Sequence, residues 1–87
     1  MNTLYLTLNK EPFYQILSGE KKEEYRRNIL YWVKRILKKE FDEIFFRNGY
    51  TLGRPWMRVE SRYVHVNDVD DIITLGLGKI IEKGNIP

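Results

Sequence analysis

From residue 17 to residue 28 the chain reads LSGEKKEEYRRN, with Lys21, Lys22, Arg26 and Arg27 set among Glu20, Glu23 and Glu24. Lys21, Glu24 and Arg26 are the three whose types and spacing could do chemistry. An ammonium such as Lys21 binds phosphate or, once desolvated, serves as a base or nucleophile. Glu24 either pairs with that lysine, which favours electrostatic binding, or itself relays a proton or activates water while Lys21 stabilises the developing anion. Arg26 offers a planar fork that fits a phosphate or a base edge in bidentate fashion. The plain alternative is a structural ion pair, Lys21 with Glu24 or Glu24 with Arg26, because residues 24 and 26 share a face if the segment is a strand.

A second group lies further along. Tyr50 and Trp56 flank the Asn-Gly and Gly-Arg-Pro turns, where aromatic rings can stack on an exposed base, and Arg54 and Arg58 could reach its phosphates. Rings near the turns of a small barrel also serve as lids on the core. Tyr25 points away from Glu24 and Arg26 and is assigned to the core, while His65 stands alone in a strand. The chain has no cysteine and one histidine, which removes disulfides, thiolate metal sites and cysteine catalysis and leaves no metal or cofactor in this reading.

These side chains need a scaffold, and the pattern of the chain supplies one. LYLTL (4 to 8) reads as a strand. Asn9 then serves as an N-cap, with Pro12 in the first turn of a helix that aligns Phe13, Ile16 and Leu17 and closes at Gly19. KKEEYR is open between an extended segment and the start of the next helix. ILYWVKRILKKE (29 to 40) places Ile29, Trp32, Val33, Ile36 and Leu37 on one helical face and Lys34, Arg35, Lys38 and Lys39 on the other. EIFF (43 to 46) leads to Asn48-Gly49, the pair that suits a type I′ hairpin turn. WMRVESRYVHV (56 to 66) and IITLGLGKII (72 to 81) are the last two strands, joined by the turn NDVDD, with Gly76 and Gly78 marking a bulge or a close backbone approach. The order β-α-(β)-α-β-β-β, ending in short strands interrupted by glycine, predicts an α+β fold in which a small closed barrel hides its edges.

Eighty-seven residues, 43% of them hydrophobic, suffice for one domain and one core. No stretch reaches the ~18 apolar residues of a membrane span, and the N-terminus lacks a signal-peptide pattern, so the expectation is an intracellular, cytoplasmic protein without a membrane partner. The net charge of +3 is compatible with a polyanionic partner, and the basic residues concentrate between Lys21 and Lys39.

A helix carrying FYQILSG followed by EKKEEYR resembles the ASCH domain signature, Gly-x-Lys-x-x-Glu-x-Arg, here Gly19, Lys21, Glu24 and Arg26. The likeness continues through DEIFFRNGY and the closing IITLGLGKII. It implies a PUA-like β-barrel with two flanking helices and a setting of RNA, nucleotides or nucleosides. Some members of that family are enzymes, among them a small amidohydrolase acting on acetylated cytidine. Its catalytic lysine matches Lys21, and Glu24 stands where it has threonine. Three functions follow from residues and resemblance together. The first is an RNA- or nucleotide-binding module with a Lys/Glu/Arg pocket, the second a small hydrolase, amidohydrolase or ribonuclease, using Lys21 and Glu24, and the third a protein-interaction module using the basic helix.

Overall fold

The computed structural model describes residues 2–87. Seven elements follow one another: β1 (Thr3–Leu8), α1 (Lys10–Ser18), β2 (Glu23–Arg27), α2 (Leu30–Ile36), β3 (Glu43–Asn48), β4 (Trp56–Asn67) and β5 (Ile72–Gly84). The segment left open between strand and helix is therefore a strand. α1 begins after Asn9, which is extended but makes no side-chain cap, and ends at Gly19, whose φ of 85° requires glycine. The NDVDD turn forms because the Asn67 side-chain oxygen accepts the N–H groups of Val69 and Asp70, each at 3.0 Å.

The strands pair in the order β1-β3-β4-β5-β2, with β1 parallel to β3 and the other pairs antiparallel. β1 and β2 stand at opposite ends and do not pair, so the expected closed barrel is an open, strongly curled half-barrel with two helices flanking it. Side chains bridge from α2 to both edge strands. Arg35 donates from Nη2 to the Tyr5 carbonyl of β1 at 2.8 Å, and the Arg26 guanidinium of β2 lies 5.0 Å from the Trp32 ring of α2. Side-chain contacts thus replace the missing strand pairing.

Strand alternation builds the core. Leu4, Leu6 and Leu8 of β1, Ile44 and Phe46 of β3, Met57 and Val59 of β4 and Ile73, Leu75 and Leu77 of β5 face inward, where Phe13 and Ile16 of α1 and Ile36 of α2 meet them. Each such side chain contributes about 1.5–3 kcal/mol by leaving water. The register of β4 against β5 shifts between Arg58 and Tyr63, which bends the ribbon and accounts for the curl. Gly76 proves to be a close approach: the Tyr63 ring lies across its backbone where a Cβ would stand.

Two expectations change in detail. Asn48-Gly49 is not a two-residue type I′ turn, because Asn48 keeps a negative φ as the last residue of β3 and the chain returns only at Trp56. Buried Asn48 instead staples this corner: its N–H donates to the Pro55 carbonyl at 2.9 Å, and its Nδ2 donates to the Leu8 carbonyl at 3.3 Å. The second helix is shorter than residues 29 to 40, and Ile29 and Leu37 are exposed instead of facing the core. Continuing it would stack Lys34 on Lys38 and Arg35 on Lys39, like charges one helical turn apart.

Candidate functional site

Lys21, Glu24 and Arg26 do come together. Glu24, on the inward side of β2, is only 4% exposed. Its Oε1 accepts from Lys21 Nζ at 2.6 Å and its Oε2 from Arg26 Nη1 at 2.6 Å, so the carboxylate is tolerated inside by two charge-assisted bonds. Arg26 Nη1 also donates to the Tyr25 carbonyl at 2.8 Å. The three do not share one concave pocket. Lys21 and Arg26 face different cavities, and Glu24 lines neither.

Tyr25 is not core. It is half-exposed on the outer side of β2, since the inward positions of that strand belong to Glu24 and Arg26. Its hydroxyl donates to Glu23 Oε1 at 2.8 Å, and Tyr63, reaching across Gly76 from β4, donates to the other oxygen of Glu23. The Tyr63 hydroxyl and then that of Tyr25 hold the Glu23 carboxyl below its ordinary range, and the same bonds push both tyrosines up. This group ties the edge strand β2 across β5 to β4.

The second predicted group divides. Arg54 donates from Nε to the Asn48 carbonyl and from Nη2 to the Asn48 side-chain oxygen, both at 3.0 Å, and so pins the loop. Arg58 lies between buried Glu43, 3.3 Å away, and Glu82, whose Oε1 is 3.1 Å from Arg58 Nε in an ion pair without hydrogen-bond alignment. Trp56 stacks on Phe45 at 5.4 Å and lies against Gly84. These three are structural. Tyr50 is 82% exposed and belongs to a cleft.

That cleft, about 450 Å³, lies between the outer face of β1 and β3 and the helix α2. Arg26, Arg35 and Arg47 line it together with the aromatic rings of Tyr5, Tyr31, Trp32, Phe45 and Tyr50, and no carboxylate does. Parallel pairing of β1 with β3 sets Tyr5 beside Phe45 and Thr7 beside Arg47. The Tyr5 and Phe45 rings lie tilted against each other at 5.5 Å, and Tyr5 is exposed. Arg35 lies near Tyr31 at 5.8 Å and Trp32 at 5.5 Å. Among the described residues neither Arg35 nor Arg47 has a carboxylate partner. Arg47 uses only Nε, donating to the Gly49 carbonyl at 3.0 Å, and among the described residues both its terminal amino groups are without a hydrogen-bond partner.

The sequence pattern named Arg26 and Tyr50 and missed Tyr5, Tyr31, Trp32, Phe45, Arg35 and Arg47 as cleft residues. The outward positions of β1 and β3 carried a signal: Tyr5 and Thr7 alternate with the leucines, and Phe45 and Arg47 with Ile44 and Phe46. Arg35, assigned to the outer face of the basic helix, turns to the cleft instead.

A further cavity of about 430 Å³ opens where α1 ends. Lys21, Lys22, Arg62 and Lys79 line it with Ile16, Leu17, Leu77 and Ile80, again without a carboxylate. Among the described residues no three histidines or carboxylates gather as a metal site, and no helix is long and apolar enough to cross a membrane. The chain matches no protein-family model, no curated protein and no solved structure.

Proposed function

We propose that the protein binds RNA or nucleotides at the cleft between β1, β3 and α2. The observation that carries this reading is the lining: the guanidinium groups of Arg35 and Arg47, which have no carboxylate partner among the described residues, beside exposed tyrosine rings in a cleft lined by no acidic side chain. Phosphates require the first and nucleobases the second. A cavity of this size lies in the range of about 300–1,000 Å³ typical of ligand pockets, room for one nucleotide and its base. The resemblance of Gly19, Lys21, Glu24 and Arg26 to the ASCH signature supports the same reading, and a PUA-like ancestry for the half-barrel and a cytoplasmic place of work belong to it. Glu24 commits both oxygens to cations and faces neither basic cavity, which favours holding a ligand over hydrolysing it.

Titration of a fluorescently labelled single-stranded RNA at increasing salt tests the reading. Affinity should fall as salt rises, with a logarithmic slope of about −0.7 for each phosphate contacted. Absence of binding at low salt, or binding indifferent to salt, refutes it.

A further inference from the structure

The cleft and the cavity at the end of α1 are joined by one carboxylate. Arg26, on the cleft, and Lys21, on the cavity, hold opposite oxygens of Glu24 at 2.6 Å each. The two cationic nitrogens are therefore no more than roughly 7 Å apart, two charge-assisted bonds laid across one carboxylate. Those two cations are committed to Glu24, and their separation marks how closely the cleft and the cavity approach each other. Glu24 is buried, so it interrupts the basic surface from below without presenting a negative face to solvent.

The cavity gathers cations and no aromatic ring, and Lys21, Lys22 and Arg62 also line an adjoining hollow that carries Glu20 and Glu23. Lys22, Arg62 and Lys79 have no carboxylate partner among the described residues, and no aromatic ring lines the cavity. The nearby C-terminal end of α1 would ordinarily repel an anion through its free carbonyls. Here the Gln15 carbonyl accepts from the Lys21 N–H at 3.0 Å and from the Ser18 hydroxyl at 3.1 Å, and the Ile16 carbonyl accepts from the Gly19 N–H at 3.1 Å. Those carbonyls are occupied within the chain.

We infer that the cavity lined by Lys21, Lys22, Arg62 and Lys79 is a second phosphate subsite, so that the ligand is a single-stranded oligonucleotide laid across the β2 segment with its base end in the aromatic cleft. This rests on the nucleotide-binding reading of the cleft and narrows it from nucleotides in general to a strand. A mononucleotide fills the cleft alone; a longer strand engages both positions and gains from the second without new stacking. Base preference, if any, arises only at the cleft.

The experiment compares uridine monophosphate with uridine oligonucleotides of increasing length, up to an octamer, on wild type, on Lys22→Ala/Lys79→Ala and on Arg47→Ala. The expected result is an affinity that climbs at least about tenfold, roughly 1.4 kcal/mol, from the monophosphate to the longest strand. Lys22→Ala/Lys79→Ala should erase that gain and leave monophosphate affinity unchanged, and Arg47→Ala should weaken both ligands. Both lysines are exposed, so the double variant should fold, and its circular dichroism checks that. Wild-type affinity independent of length, with the monophosphate bound and sensitive to Arg47→Ala, overturns the second subsite and leaves the cleft reading standing. A length gain that survives Lys22→Ala/Lys79→Ala also overturns it. No binding of any ligand overturns both.

Discussion

The charge on β2 and the charge around the cleft look alike in composition and differ in what the fold does with them. At β2, Lys21 and Arg26 converge on one buried carboxylate, and Glu23 is bound by two tyrosine hydroxyls. Around the cleft, Arg35 and Arg47 meet carbonyls, a hydroxyl and aromatic rings but no carboxylate. Density of charge along the chain thus marks the first region, and lack of compensation in space marks the second. The cations of β2 chiefly hold the edge strand, and Arg35 and Arg47 of the cleft hold no carboxylate among the described residues.

The sharpest way to break this comparison is to remove the shared carboxylate. Glu24→Ala leaves two cations facing each other at the inward side of β2 and should cost about 2–3 kcal/mol in chemical denaturation, the usual penalty for orphaning hydrogen-bonded charges. Arg47→Ala is the converse, since its loss should weaken RNA binding about tenfold while changing stability by no more than about 0.5 kcal/mol, as for most surface positions. If the two substitutions exchange these effects, the division between the regions is wrong.

A smaller effect should come from Gly76→Ala, which drives a methyl group into the Tyr63 ring and breaks its reach to Glu23. Overpacking of this kind costs about 1–3 kcal/mol, and relocation of Tyr63 should bring it toward the lower figure. The smallest effect is on pH dependence. Because the folded protein lowers the Glu23 pKa, chiefly through Tyr63, that group stabilises the fold above the ordinary carboxylate range and loses its contribution as pH falls through the lowered value. Tyr25 and Tyr63 are raised by the same carboxylate, so their contribution is present below the ordinary tyrosine range and is lost as pH rises through the raised values. Melting temperature against pH for wild type and Tyr63→Phe should diverge between these limits and converge outside them.

Much of the scaffold is legible in the sequence, because it is written locally. The alternation of β1, the periodicity of α1 and the left-handed residue at Gly19 each follow from neighbours in the chain. So does the pairing of Glu24 with Arg26, two residues apart on one strand face, which Lys21 joins from the turn before β2. The failures share a cause in long-range geometry. Asn48-Gly49 reads as a tight turn until Leu8, forty residues earlier, claims the asparagine side chain. The barrel stays open because β1 and β2 end the sheet unpaired, and only side-chain contacts to α2 link them. Tyr5, Arg35 and Arg47 meet only after β1 pairs in parallel with β3 and α2 crosses the gap, and no spacing along the chain encodes that meeting. Arg54 and Arg58 look free along the chain because Asn48, Glu43 and Glu82, their partners in space, lie at a distance in sequence.

If the cleft is where the ligand's base is held, its uncompensated arginines should matter more to binding than Lys21, which is committed to Glu24. Equilibrium binding of one labelled single-stranded RNA at low salt to wild type, Arg35→Ala/Arg47→Ala and Lys21→Ala, each checked for folding, tests it directly. The account predicts a loss of about a hundredfold for the arginine pair, twice the effect of a tenfold contact on the logarithmic scale, and less than about tenfold for Lys21→Ala. Equal losses, or a loss confined to Lys21→Ala, would contradict it.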